Sequence, residues 1–331
     1  MVRTVRFHEL GGPEVLRLED APIAAPGAGE LLIRVDAIGV NRAEVLFRSG
    51  RYIEDVREFP GRLGTEAAGV VEAVGPGVAG FAAGDRVSVV PAFSMNDYSV
   101  YAERAVVPAD AVLHRPEGLD AVGGAAVWMP YVTAYGALVE TGGMRAGDTV
   151  VITAASSSVG LAALQIADRV GATPIATTRT AAKRDALLKA GAADVIVTDE
   201  EDVAQRVLEL TGGRGATFVF DAVAGPGVVE LAEALARGGT LFVYGMLSGL
   251  DTPFPPMALM SGRAMRSYIL HETTRDPEAL RRAEAFVASG LRTGAFRPVV
   301  DRTFPLEEIA DAHRYMEAGT QVGKIVVTVD H

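Results

Sequence analysis

Between Thr149 and Gly171 the chain reads TVVITAASSSVGLAALQIADRVG. The apolar Val150, Val151 and Ile152 give way to a run of small residues, and a segment of helical period begins near Val159. Small residues at such a turn leave backbone N–H groups and a helix N-terminus open to an anion, the arrangement that cradles a pyrophosphate. Against the pattern G-x-G-x-x-G, the three slots hold Ala155, Ser157 and Gly160. Ser157, Ser158 and Val159 fall where the first helical N–H groups would meet a dinucleotide, with the serine hydroxyls as added donors. One loop of this kind is a weak signal alone. Its weight depends on the elements around it.

Those elements are periodic. Short apolar runs predict strands at 149–153, 173–178, 194–197, 217–221, 240–244 and 266–270. Amphipathic segments predict helices at 159–170, 181–190, 202–210 and 227–236, several of them stopped by a glycine. Six strands alternating with helices imply an α/β fold with a doubly wound parallel sheet. The loop sits on the first strand–helix turn of that sheet, where a dinucleotide is expected. At the end of the second strand an NAD site usually carries an acid for the adenosine ribose. Here the sequence is Thr178-Arg179-Thr180, with Lys183 one turn later. Two cations and several hydroxyls suit a 2′-phosphate, so the expected cofactor is NADP(H), with Arg179 as a planar fork and Lys183 as a point charge. The alternative is two solvated residues at a helix start, a placement that opposes the helix dipole. Gly245 and Met246, after the fifth strand, should pass under the cofactor.

The first ~125 residues read as short alternating strands broken by Gly/Pro turns, antiparallel in character. After residue 270 come a helix at 277–289, a strand near 298–304, a helix at 306–318 and a closing strand at 324–329. This tail is too short for a core of its own, and is expected to return to the N-terminal part. The expected domains are 1–125 with 272–331, and 126–271. At 331 residues, 49% hydrophobic against 22% charged, the chain can bury two cores. A formal net charge of −11 argues against a nucleic-acid partner. No apolar run reaches the ~20 residues of a membrane span, so a cytoplasmic protein without a membrane partner is expected. There is no cysteine, hence no disulfide, thiolate zinc site or cysteine nucleophile, and the five histidines are scattered.

Further motifs stand in one order: Gly39-Val40-Asn41, Gly64-Thr65-Glu66-Ala67-Ala68-Gly69, Ala83-Gly84-Asp85-Arg86-Val87, Val132-Thr133-Ala134-Tyr135, the loop at 155–160, and Gly323-Lys324-Ile325-Val326-Val327. Together they resemble the medium-chain dehydrogenase/reductase superfamily over essentially the whole chain, and within it the zinc-free quinone oxidoreductase branch. The resemblance implies a GroES-like β-barrel catalytic domain with a Rossmann domain inserted, and a homodimer formed through a Rossmann edge strand near 266–270. In zinc-containing relatives a Cys stands at the position of Asn41, a His at that of Thr65, and a further Cys near Met129. None of these is present here, so no metal site is expected.

The resemblance also implies a reacting centre. It places Asn41 near the nicotinamide, bonding cofactor or substrate; the alternative is a turn residue that satisfies local backbone. It matches Tyr52 to a pocket tyrosine that donates to a carbonyl or relays a proton; the alternative is an aromatic that only shapes the pocket. Thr133 is a nicotinamide contact or a helix N-cap. Lys324 reaches a cofactor phosphate, or is an ordinary exposed lysine. Bacterial quinone reductases of this branch carry cofactor-contacting tyrosines at the positions of Gly136 and Thr198. The apolar Met246, with 244–250, Phe254 and Trp128, suits a small hydrophobic substrate or a core. The expected function is hydride transfer from NADPH to a quinone or other conjugated carbonyl without zinc. The alternatives are a non-catalytic NADPH-binding protein and a zinc-free carbonyl reductase.

Overall fold

The structure is a computed structural model that describes every residue from Met1 to His331. Its contacts divide the chain into two compact units. The first opens with β1 (Val2–Phe7), β2 (Arg17–Ala21) and β3 (Glu30–Val40), then the helix α1 (Arg42–Arg48). It continues through β4 (Gly61–Arg62), β5 (Ala67–Val74), β6 (Arg86–Val89), β7 (Arg104–Pro108), β8 (Val112–His114) and α2 (Ala121–Gly124). β3 is the spine of this unit, pairing antiparallel with both β5 and β7. Its inward residues Leu31, Ile33 and Val35 alternate with half-buried ones and are fully excluded from solvent.

The second unit begins in α3 (Trp128–Tyr135), which runs on as a π-helical stretch, Gly136–Thr141. Then β9 (Thr149–Ile152), α4 (Ser158–Val170), β10 (Thr173–Thr178), α5 (Arg184–Lys189), β11 (Asp194–Val197), α6 (Val203–Leu210), β12 (Ala216–Asp221) and α7 (Val228–Glu233) follow. β13 (Leu235–Val243), α8 (Met257–Met260), β14 (Ala264–Ser267), α9 (His271–Thr274) and α10 (Pro277–Arg292) complete the series. The six strands pair parallel in the order β11-β10-β9-β12-β13-β14. β9 lies inside the sheet between β10 and β12, and Val150, Val151 and Ile152 are wholly buried. This is the expected doubly wound sheet. The helix expected at 227–236 stops at Glu233, because Leu235 already enters a β13 longer than expected. The last strand is Ala264–Ser267, two residues earlier than expected, and Tyr268 is buried.

The chain ends with β15 (Val300–Pro305), α11 (Ile309–Ala318) and β16 (Lys324–Thr328). β16 pairs antiparallel with β3, which returns the tail to the first unit. The expected bounds need correction: 126–129 group with the first unit, and 272–273 and Glu278–Arg297 with the second. The reason is packing. Phe296 packs tilted against Tyr131 at 5.0 Å, Phe286 likewise against Tyr135 at 4.9 Å, and Arg282 pairs with Glu140 at 2.6 Å. A second correction concerns length. The helical stretch Ala121–Thr141 is 21 residues and apolar enough to cross a membrane, and 78% of its most apolar window is buried inside the protein, as in a core helix.

Candidate active site

In the second unit, the turn after β9 has the shape that a phosphate cradle needs. Ala154 is left-handed at φ +46°, which folds the chain back sharply before α4. Ser157 is the N-cap of α4, and its hydroxyl oxygen accepts from the Gly160 N–H at 3.1 Å. A Cβ on Gly160 would stand 2.6 Å from the Cα and carbonyl oxygen of Ala155, so only glycine lets the helix seat this tightly on the loop. Ser158 and Val159 open the helix, half-buried. Ser157 therefore spends an oxygen lone pair on its own helix, and its hydroxyl also meets the buried Tyr244 hydroxyl.

The cations expected near a 2′-phosphate flank this loop. Thr178 ends β10, Arg179 is exposed, and Lys183 donates to the Ser156 hydroxyl at 3.1 Å. The cradle, a free helix N-terminus and these two cations fit an NADP(H) phosphate set. On the other side of β9, the buried Asp221 carboxylate accepts from the Thr153 hydroxyl at 2.6 Å and from the N–H groups of Val223 and Ala224. That network holds Ala224 at φ +60°, a conformation an alanine adopts only when its surroundings enforce it. Gly245 packs against the Ala222 carbonyl, where a Cβ would come within 2.6 Å, and Met246 is exposed. Leu247, Leu250 and Phe254 are exposed too, whereas Trp128 is fully buried and belongs to a core.

One sequence departure has a local answer. Gly136 carries no ring, and the hydroxyl of Tyr268 fills that space: a Cβ at Gly136 would lie 2.0 Å from it. Tyr268 in turn bonds Thr273 at 2.8 Å. Thr133 lies inside α3 and is buried, so it is no N-cap.

The first unit holds a buried polar cluster. Asn41 is the N-cap of α1 in a capping box with Glu44, whose carboxylate accepts the Asn41 N–H at 2.9 Å. Thr65 donates its hydroxyl to the other Glu44 oxygen at 3.2 Å. Burial raises the Glu44 carboxyl to about 7, and the nearby Lys324 charge holds it from rising further. Lys324 is where expectation fails. Its side chain is 1% exposed, neither an exposed lysine nor one reaching outward for a phosphate. Its ammonium lies 2.5 Å from both Glu66 Oε2 and Asn41 Oδ1. Glu66, also fully buried, accepts the Met129 N–H on its other oxygen at 2.8 Å. Glu66 belongs to a motif quoted above and Glu44 to none, and nothing in their spacing signals this cluster. Tyr52 is half-buried and edge-on to Phe47; burial, with the Glu44 and Glu54 charges, raises its hydroxyl to about 12. It stays a proton donor through the neutral range.

Residues 158–288 match the family model of zinc-binding dehydrogenases, and residues 27–117 that of the alcohol dehydrogenase GroES-like domain. Human quinone oxidoreductase is 33% identical over 330 residues, covering 99% of this chain and 98% of the relative. The 2-haloacrylate reductase of a Burkholderia species is 31% identical, covering 99% of each. Among solved structures, Escherichia coli quinone oxidoreductase complexed with NADPH has a TM-score of 0.91 at 30% identity, covering 98% of this chain and 99% of that one. The first family description names zinc, and the donors here do not fit that ion. An ammonium already occupies the oxygens of Asn41 and Glu66, and the Thr65 hydroxyl is spent on Glu44. No group of three His, Cys, Asp or Glu side chains is placed to hold a metal. By its GroES-like and Rossmann units and these full-length relatives, the chain belongs to the quinone oxidoreductase branch of the medium-chain dehydrogenase/reductase superfamily.

Proposed function

We propose that this protein is an NADPH-dependent oxidoreductase that reduces a quinone or another conjugated carbonyl, an enone or enal, without a metal ion. The observation that carries the reading is the phosphate cradle at Ala155–Gly160 with Lys183 bonded to its Ser156. Support for the acceptor class comes from the relatives, named as quinone oxidoreductases and a 2-haloacrylate reductase. Bound NADPH supplies a hydride.

The chain's residues do the rest. Backbone N–H groups at the start of α4, at Ser158 and Val159, hold the pyrophosphate, and Arg179 and Lys183 take the 2′-phosphate. Tyr52, protonated at neutral pH, donates to the acceptor oxygen as negative charge gathers there. Asn41 lines the reacting centre, with its carboxamide held from behind by Lys324. Neither a quinone nor an enone needs a strong catalytic base, since the reduced oxygen can be protonated by solvent. The exposed apolar run around Met246, Leu250 and Phe254 suits a small hydrophobic acceptor.

The reading includes a cytoplasmic location and a homodimer. β14 lies at the edge of the six-stranded sheet, with one side open to a second copy. Light scattering should give the mass of two chains; a monomer at micromolar concentration would contradict the dimer. The function itself is tested by NADPH oxidation against a panel of quinones and enones with product identification. Tight NADPH binding with no turnover of any acceptor would leave a binding protein instead.

A further inference from the structure

A buried lysine paired with a buried glutamate costs desolvation that attraction returns only when the remaining bonds are made. Here they are made, and made through Asn41. The Lys324 ammonium takes Glu66 Oε2 and Asn41 Oδ1, while Asn41 Nδ2 donates to the Gly39 carbonyl at 3.1 Å and to Glu66 Oε2 at 3.4 Å. Every polar atom of the Asn41 side chain is engaged. Turning the carboxamide over would set its NH2 against the ammonium, and its oxygen against both the Gly39 carbonyl and a carboxylate. The cluster therefore admits one orientation of Asn41.

Backbone geometry makes room for it. β16 lies beside β3 with Val326 opposite Gly39 and Ile325 opposite Val40, which brings Lys324 next to Asn41 although 283 positions separate them. A Cβ on Gly39 would lie 2.3 Å from the Ala125 carbonyl oxygen, 2.6 Å from Glu66 Oε2 and 2.9 Å from Lys324 Cε. The glycine keeps open the space that the lysine fills.

We propose that Lys324 is a positioning residue, its ammonium the fixed internal cation that locks the Asn41 carboxamide in the orientation the reaction uses. The proposal rests on the function proposed above. Asn41 and Glu66 here enclose a covalently tethered charge that chelators cannot remove.

The test uses the full-length protein, with melting temperature, hydrogen exchange of the Asn41 side-chain amide by NMR, NADPH affinity and quinone kinetics read together. Lys324→Met alone leaves Glu66 buried without a partner and should lower the melting temperature sharply. The neutral double variant Glu66→Gln/Lys324→Met should recover most of it. Despite that recovery, the Asn41 amide should exchange at least about tenfold faster, and kcat should fall by about tenfold to a hundredfold with NADPH affinity unchanged. Placed on Asn41→Ala, the double substitution should cost no further activity. A stable double variant with wild-type exchange and kcat overturns the proposal, as does one that does not fold. If the wild type reduces no acceptor, the proposed function fails, and the amide exchange still decides the role of Lys324.

Discussion

The Lys183 ammonium donates to the Ser156 hydroxyl at 3.1 Å, so a cation from beyond the second strand of the parallel sheet touches the loop that ends the first. Adenosine-side charge and pyrophosphate cradle are thus one local structure. On the function proposed above, the two cations stand at a helix start, where the dipole disfavours them, to meet the cofactor's 2′-phosphate.

Arg179→Ala and Lys183→Ala should therefore each weaken NADPH binding by about tenfold to a hundredfold, the loss of one charge-assisted hydrogen bond of about 1.5–3 kcal/mol. NADH, which lacks the 2′-phosphate, should bind these variants as it binds the wild type. Fluorescence titration with both nucleotides checks this, and equal losses for the two would refute the assignment.

Gly160→Ala should be costly beyond its one carbon. The new Cβ would meet Ala155 backbone atoms at 2.6–2.7 Å, and backbone cannot yield as a side-chain tip can. Overpacking of this kind costs about 1–3 kcal/mol. Denaturant unfolding should show that loss, with NADPH affinity falling as the loop moves off the helix N-terminus. Unchanged stability would mean that the loop is looser than described.

His313 makes the fold acid-sensitive. Burial, with the Arg48 and Arg42 charges nearby, lowers its imidazole to about 3, and its Nε2 shares a hydrogen bond with the Tyr101 hydroxyl at 3.2 Å. In the unfolded chain it titrates near the ordinary value of about 6.5. The unfolded state thus binds the proton first, so the contribution is fully present above about pH 6.5 and is lost as pH falls toward 3. His313→Gln, which can still bond Tyr101, should flatten the decline in melting temperature between pH 7 and pH 4, both values chosen to lie about that window. A variant as acid-sensitive as the wild type would assign the effect elsewhere.

Tyr52→Phe should lower kcat by about a hundredfold while moving NADPH affinity little, since a positioned proton donor contributes about 10²–10⁴. The pH profile of the wild type should show no loss of this donor below about pH 12, given the raised hydroxyl. A kcat within twofold of wild type, about the scatter of such assays, would make Tyr52 a wall of the pocket and nothing more.

The parallel sheet was legible because its inner strands are covered on both faces, which leaves apolar runs such as Val150–Ile152, and because β11 still carries the buried run Val195–Val197. The tight turn into α4 was legible because its requirements are local, and Ala155, Ser157 and Gly160 meet them within six residues. Lys324 was not. After a glycine it reads as an exposed turn lysine, and only the β16–β3 register sets it against Asn41 and Glu66. Tyr268 escaped for the same reason, since nothing near Gly136 in sequence announces the ring that covers it. The grouping of 278–297 with the second unit depends on Phe286 and Phe296 finding Tyr135 and Tyr131, again a long-range fact.

The proposed function is metal-free reduction of a conjugated acceptor by NADPH. It is tested most directly by following NADPH oxidation with a quinone and with an enone, in protein treated with chelator and assayed for metal content, and by identifying the products. The account predicts turnover that survives chelation, hydroquinone from the first acceptor, and a saturated carbonyl from the second or no reaction there. Alcohol formed with the alkene intact, or activity that vanishes with the metal, would contradict it.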